Sequence, residues 1–470
     1  MTPALARLGA AALGLWLAAC SSAHYAINPP LARVDAGQGY RLQRFVAQDP
    51  DDSLLLHVSF SGGGLRAATL GLGVLDELRA TPIHWDGKDE RLFDQVDIVM
   101  GLSGGSLLVG SLAMAGEAGL TRFEDTMLHG TPQSDFARGL LTPASLWRLT
   151  SPNFGRSDAF ERFLDERLFQ GRRFGDLSRS PHKPFAVIYA ADMVSGGRFE
   201  FVQEQFDFLC SDLDGVQLAR AVAASSAVPL LLSPVTVWNH AGTTPGQDCG
   251  PPLLRQGASA QAGGGGAAAS RRLAELEGYR DLLDGAPRRP FIHLVDGGLA
   301  DNVSARGPTD YIGQFGGIVS SARFAGYRRL RRVVFIVVNA ETSARSPEDL
   351  SPRVPGPLRT AFALADIPIN RNSVVALDQM RATLRAWREE VRQAQARGES
   401  TPFAADVEFH LIEVSLDAAN PALAERLKAI PTTLELPEAD IALLREHARQ
   451  RLRASPEFRA MLRSLQPPQD

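Results

Sequence analysis

The chain is poor in the residues that mark a metal or redox protein. It has three cysteines, Cys20, Cys210 and Cys249. It has no C-x-x-C, no H-E-x-x-H and no other cluster with metal-ligand spacing, so no metal and no cofactor is implied. It has no excess of either charge: 49 basic side chains stand against 53 acidic ones, a net charge of −4. That balance gives no support to nucleic acid as a partner. The apolar run at the N-terminus, LGAAALGLWLAA at residues 8–19, is too short to span a bilayer. There is no internal repeat. What remains is ordinary for a globular protein, with 44% hydrophobic and 22% charged residues in 470. That length leaves room for one large domain or two to three smaller ones.

The short apolar run suits the core of a signal peptide, and one basic residue, Arg7, precedes it. Leu17-Ala18-Ala19-Cys20 follows and resembles the lipobox of bacterial lipoproteins, in which cleavage leaves a lipidated cysteine as the first residue. The expectation is a signal peptide over residues 1–19, lipid on Cys20, and an exported, membrane-anchored protein. Ser21 after the cysteine allows sorting to the outer membrane. A plain secretory signal with an incidental cysteine is the alternative. With Cys20 lipidated, Cys210 and Cys249 are left in an oxidising compartment, and whether they pair is open.

The stretch DIVMGLSGGSLLV, residues 97–109, organises the rest. An apolar run leads into Gly101-Leu102-Ser103-Gly104-Gly105, and small and apolar residues follow at helical length. This predicts a strand, a sharp turn and a helix with Ser103 at the turn, the context of a G-x-S-x-G nucleophile elbow. A side chain at Gly101 or Gly105 would crowd the strand or the helix, and the helix N-terminus favours negative charge at the serine. The bland alternative is a glycine-rich turn that only packs a helix on a strand.

Upstream, residues 53–60 read as a strand buried on both faces. Ser61-Gly62-Gly63-Gly64-Leu65-Arg66 comes next, then a helical pattern over residues 67–79. Glycines between a buried strand and a helix imply close approach to the backbone. No G-K-[ST] follows and G-x-G-x-x-G is not matched, so a phosphate cradle fits poorly. Gly62, Gly63 and Gly64 are therefore candidate oxyanion-hole donors, and Arg66 either steadies that loop, meets an anionic headgroup, or is a plain surface arginine. Further strands are predicted over residues 184–191, 198–203 after a Gly196-Gly197 hairpin, 290–295, 332–339 and 406–416. A long helix is predicted over residues 371–397, with a stripe from Val374 to Val391. Residues 218–234, LARAVAASSAVPLLLSP, read as a close-packing helix ended by proline, with no catalysis assigned to Ser225 or Ser226. The strand at 290–295 ends in Asp296-Gly297-Gly298, and Asp296 is read at the carboxyl end of a strand, where α/β proteins keep their sites.

SGGGLR, GLSGGS and DGGLADN, in that order, resemble the patatin-like phospholipase family. The departure is Ala67 where the family has glycine. The resemblance covers residues 53–339. It implies a three-layer α/β/α fold with a mostly parallel central sheet, to which a helix-rich C-terminal extension is added. It also implies a lipid acyl hydrolase with a Ser-Asp dyad, so Ser103 maps onto the nucleophile and Asp296 onto the base. Gly101, Gly105, Gly297 and Gly298 support the turns, and Asn302 has a supporting or structural role. A triad would need a later histidine; His410 in a strand and His447 in a charged helix both read as structural. Residues 20–50 are expected to form a tether and 51–345 the catalytic domain. Residues 238–290, with Gly263–Gly266, read as a flexible insertion, either a flap over the site or a disordered surface loop. Residues 346–470 form an extension that carries no recognised motif. The basic run Arg323, Arg328, Arg329 and Arg331 reads as a solvated face, with contact to anionic lipid as the alternative. The expected partner is a membrane lipid or other acyl ester; oligomeric state is open. Two other functions remain open: a silent lipid-binding or envelope-scaffolding lipoprotein, and an esterase or thioesterase on soluble substrates.

Overall fold

The computed structural model describes residues 21–243, 246–252, 267–342, 352–354 and 356–466. The signal segment 1–19, Cys20 and Gly263–Gly266 lie outside the described residues. Strand β1, Leu54–Phe60, is buried at every position, as a continuous apolar run in a doubly covered sheet must be. Around it an eight-stranded sheet is built from β2 (Val96–Gly101), β3 (Phe185–Asp192), β4 (Arg198–Glu200), β5 (Val235–Trp238), β6 (Phe291–Val295), β7 (Leu330–Asn339) and β8 (Phe403–Ser415). The order is β8-β7-β1-β2-β3-β6-β5, with β4 on the side of β3. The pairs from β8 through β3 are parallel. β6 and β4 run antiparallel to β3, and β5 antiparallel to β6.

Side-chain alternation along β1 divides the core in two. Leu56, Val58 and Phe60 face helices α1 (Gly64–Ala80) and α2 (Gly104–Phe123). Leu55 on β1, with Val333 and Phe335 on β7, faces the other way. There it meets the cluster formed with residues after Asp296: Ile312 of α5 (Arg306–Gln314), Ala322 of α6 (Ile318–Ala325), and Met380, Leu384 and Trp387 of α7 (Pro357–Ala396). Helices on both faces of a mostly parallel sheet give the three layers. The helix α7 begins fourteen residues before the predicted start at 371 (371 − 357 = 14) and runs through Pro368, a residue that in sequence reads as a break.

Residues 21–50 depart from the expectation of a tether. Asn28 donates through Nδ2 to Ser211 Oγ at 2.7 Å, and Leu31 N–H donates to the Cys210 carbonyl at 2.7 Å. The Tyr40 hydroxyl exchanges hydrogen bonds with the Ala186 peptide on β3, while Phe45 joins the main core. The segment is held because it carries buried aromatics, which a solvated linker lacks. The described part of the 238–290 stretch is likewise docked. Cys249 is bonded to Cys210, and Arg272 in α4 (Ala267–Glu277) donates to the Arg198 carbonyl at 2.6 Å. Tyr279 donates to Asp192 at 2.9 Å.

The C-terminal extension is part of the same body. Strand β8 completes the sheet edge beside β7, and α8 (Glu438–Ala454) lies against α1 so closely that a Cβ at Gly73 would meet the Arg445 carbonyl. Arg445 pairs with Asp76 of α1 at 2.7 Å and with Glu124, just past the end of α2, at 2.7 Å, which ties α8 to that face. No described helix is long and apolar enough to cross a membrane.

Candidate active site

The loop after β2 makes the expected elbow. Ser103 sits between β2 and α2 with φ 48° and ψ −123°, a region that costs a side-chain-bearing residue of order 1–3 kcal/mol and persists only where neighbours enforce it. The neighbours are identifiable. The Ser103 N–H donates to Ser225 Oγ at 2.9 Å, and the Ser225 hydroxyl donates to the Tyr189 carbonyl at 2.7 Å. Ser106 donates to the Ser103 carbonyl from its hydroxyl at 2.6 Å. Gly101 and Gly105 are close-packed as predicted: a Cβ on either would run into backbone.

Asp296 reaches this elbow by a different route from the one its sequence position implied. Strand β6 is antiparallel to β3, and only Leu294 and Val295 pair with it. The carboxyl-end rule for parallel strands therefore does not place the aspartate; the short overlap with β3 does. Two backbone bonds then fix it beside the nucleophile. Asp296 N–H donates to the Ala227 carbonyl at 3.0 Å, and Gly297 N–H donates to the Ser225 carbonyl at 3.1 Å. Residues 225–227, at the end of α3 (Leu218–Ser225), thus hold Ser103 on one side and Asp296 on the other. The sequence assigns Ser225 packing and no catalysis; the signal for its bracing role is the small-residue block around it.

Asp296 is buried, and Gly298 N–H donates to its Oδ1 at 2.8 Å. Oδ2 is buried without a partner in good hydrogen-bond geometry. Burial pushes the carboxyl up to about 6, opposed by the Gly298 N–H and by the nearby Ser103 hydroxyl. A carboxyl with a proton-accepting oxygen left open, poised near neutrality, has the properties of a general base.

The glycine turn lies directly on the elbow: a Cβ at Gly104 would collide with the Gly64 carbonyl. Gly63 has φ 129°, which glycine alone adopts readily. Among the described residues, the N–H groups of Gly63, Gly64 and Gly104 have no protein acceptor. Gly62 is a correction to the sequence reading, because its N–H donates to the Asn302 carbonyl at 3.1 Å and is not free to meet a substrate. Asn302 is thereby a structural brace, and its Nδ2 donates to Ser373 Oγ of α7 at 3.3 Å.

Arg66 is buried and points inward. Its Nε donates to the Ala340 carbonyl at 3.2 Å and its Nη1 to the Ile430 carbonyl at 2.6 Å. Burial lowers its pKa to about 10, still cationic at neutral pH. Of the readings open in the sequence, the loop-steadying one matches these contacts. The C-terminal extension supports the same loop, since Leu65 N–H donates to the Thr433 carbonyl at 2.8 Å. Sequence reasoning missed Ile430, Thr433 and Ser373, which carry no motif. His410 and His447 lie elsewhere: His410 contacts Ser464 Oγ at 3.4 Å and His447 the Ser415 carbonyl at 2.9 Å.

The fold and the site together define a mostly parallel α/β protein with a strained serine and a buried aspartate at one end of its sheet. The model of the family described as patatin-like phospholipase matches residues 58–308, over half of the sequence, and the chain belongs to that family. The match contains the glycine turn, the elbow and Asp296, and stops before the C-terminal extension. No curated protein matches the chain. Among solved structures, human GIVD cytosolic phospholipase A2 in complex with methyl gamma-linolenyl fluorophosphonate is similar at 14% identity and a TM-score of 0.38, over 90% of this chain and 61% of that one. The human GIVD enzyme without that compound gives 12% identity and a TM-score of 0.39, over 90% and 62%. The chain thus spans about three-fifths of the length of these proteins.

Proposed function

We propose that the protein is a serine acyl hydrolase that cleaves acyl esters of membrane lipids with a Ser103–Asp296 dyad. The observation that carries this reading is the buried Asp296 carboxyl beside Ser103, with Oδ2 unpaired and its pKa raised to about 6. Ser103 Oγ attacks the ester carbonyl carbon while its proton passes to Asp296 Oδ2. The carbonyl π electrons move to oxygen, and the N–H groups of Gly63, Gly64 and Gly104 receive that oxyanion. Collapse of the intermediate breaks the carbon–oxygen bond, and Asp296 returns its proton to the leaving alcohol. Water then repeats the sequence on the acyl-enzyme, its proton going to Asp296 and on to Ser103 as the carboxylic acid leaves.

Patatin-like phospholipase membership supports a lipid ester as the substrate. The lipobox-like Leu17-Ala18-Ala19-Cys20 supports an exported protein that begins at a lipidated Cys20 and faces the periplasm or the cell surface, and Ser21 allows sorting to the outer membrane. The test is hydrolysis of a phospholipid and of a short-chain ester by the purified protein. Ser103→Ala is expected to abolish both. Hydrolysis undiminished in Ser103→Ala, or absent in the parent protein with the fold intact, overturns the reading.

A further inference from the structure

Long apolar side chains are exposed at three turns of the structure. Leu141 is 72% exposed, and Leu146 and Trp147 of the short helix Pro143–Arg148 follow it. Leu230 and Leu231 are exposed on the loop after α3, and Met193 and Val194 on the β3–β4 hairpin, with Val194 at 70%. Apolar residues scattered singly need no explanation, but a set gathered round one opening marks an interaction surface.

These turns are joined. Arg156 donates to the Leu230 carbonyl at 2.9 Å, and Ser157 N–H donates to Ser233 Oγ at 3.1 Å, so the segment after the short helix is tied to the loop after α3. Leu230 and Met193 in turn line one cleft, of about 350 Å³, together with Val295 and Leu299. Val295 precedes Asp296 in the chain and Leu299 N–H donates to the Asp296 carbonyl at 3.2 Å, so two residues that line the cleft bracket the aspartate of the dyad.

The described chain begins at this rim. Ser21 N–H donates to Thr150 Oγ1 at 3.4 Å, Ser151 donates to the Ala23 carbonyl at 2.6 Å, and Tyr25 N–H donates to the Asn153 carbonyl at 2.9 Å. Thr150 is three residues past Trp147. Cys20 is one peptide unit from Ser21, a Cα step of about 3.8 Å. A lipid carried by Cys20 would start one residue from Ser21, whose N–H meets Thr150 three residues past Trp147. Charge agrees with this placement. Arg148 adjoins Trp147 in the chain and Arg156 donates to the Leu230 carbonyl, and neither has a carboxylate within ion-pair distance among the described residues. Unpaired cations next to apolar side chains suit an anionic lipid surface.

We propose that the face carrying Leu146, Trp147, Leu230, Leu231, Met193 and Val194 lies on the membrane that holds the protein's own anchor. The dyad then draws its acyl substrates from that leaflet, through the cleft between Met193 and Leu299. This rests on the reading of Cys20 as an anchor and of Ser103 as an acyl-transfer nucleophile, and it adds the orientation of the body and the source of the substrate.

The test uses Cys20→Ser protein, so that binding reports the face and not the lipid. Sedimentation with phosphatidylcholine vesicles, with and without phosphatidylglycerol, is measured for three double or single variants. These are Leu146→Glu/Trp147→Glu, Leu230→Glu/Leu231→Glu, and the control Val354→Glu, at a residue 92% exposed elsewhere in the chain. Turnover of vesicle lipid is divided by turnover of a soluble short-chain ester, which corrects for any loss of fold or site. Both double variants are expected to lower vesicle binding and this ratio by about tenfold or more, with the larger drop on vesicles that contain phosphatidylglycerol, while the control stays near the parent. Parent-like binding by both double variants overturns the proposal, as does an equal drop in the control or no vesicle binding by the Cys20→Ser parent. If the soluble ester is not hydrolysed at all, the acyl hydrolase reading fails, and sedimentation still decides the docking face.

Discussion

Ser103 is held at φ 48° by a hydrogen bond from its own N–H to Ser225 Oγ, and the consequence is testable. Ser225→Ala leaves a buried N–H without an acceptor, a loss of about 1–3 kcal/mol. It also loosens the bond network that positions Asp296. Thermal unfolding should shift down accordingly, and kcat on a soluble ester should fall about 10- to 100-fold with little change in KM, as expected for misplaced reacting groups. An unchanged kcat would show that the elbow holds itself. Asp296 makes a prediction in pH. Only the ionised carboxyl can take the Ser103 proton, so kcat/KM should decline as pH falls through about 6. Asp296→Asn should lower turnover by at least ~10² and remove that inflection. A pH profile flat between 5 and 8, roughly the range in which the carboxyl changes state, would exclude Asp296 as the base. The same shift has a stability sign: the folded state binds this proton more tightly than the unfolded chain, so the contribution is present at low pH and is lost as pH rises to about 6.

At the scale of elements, the glycine turn and the C-terminal extension act together. Arg66 donates to carbonyls at Ala340 and Ile430, at the end of β7 and in the extension. Arg66→Met should leave both buried carbonyls unpaired and destabilise the protein by about 1–3 kcal/mol for each. Arg66→Lys should not rescue it, since a point-like ammonium cannot span two acceptors as the planar guanidinium does. Equal melting temperatures for parent and Arg66→Lys would contradict this. Gly63 sits at φ 129°, where a side chain is poorly tolerated. Gly63→Val introduces backbone strain of about 1–3 kcal/mol, so lost turnover must be read against lost stability.

These elements also separate what sequence could show from what it could not. β1, the elbow and the Asp296-Gly297-Gly298 turn were legible because their chemistry is local: an apolar run, glycines at fixed spacing, a carboxylate before two small residues. Three features were not legible. Gly62 looked equivalent to its neighbours until Asn302, 240 residues away (302 − 62 = 240), took its N–H. The antiparallel direction of β6 depends on long-range pairing that a five-residue apolar run does not encode. Ile430 and Thr433 contribute only backbone carbonyls, which leave no mark on residue type.

For the whole molecule, the fold packs an N-terminal arm, a family domain and a C-terminal extension into one body around one sheet. The oxyanion loop is braced from Asn302, Thr433 and, through Arg66, Ile430, so the extension belongs to the working unit. The lipid anchor expected on Cys20 belongs at this scale too. Cys20→Ser should convert tight membrane association into weaker, salt-sensitive binding, because the docked face and its arginines remain while the acyl chains are lost. Processing and partition identical to the parent would remove the lipoprotein reading. The central claim is that Ser103, activated by Asp296, is the acyl-transfer nucleophile, and covalent labelling tests it most directly. The purified protein is treated with a fluorophosphonate and the modified peptide located by mass spectrometry, with residual ester hydrolysis measured on the same samples. The account predicts one adduct, on Ser103, formed in step with loss of turnover, absent in Ser103→Ala and much slowed in Asp296→Asn. An adduct on another residue, or full turnover in protein labelled at Ser103, would contradict it.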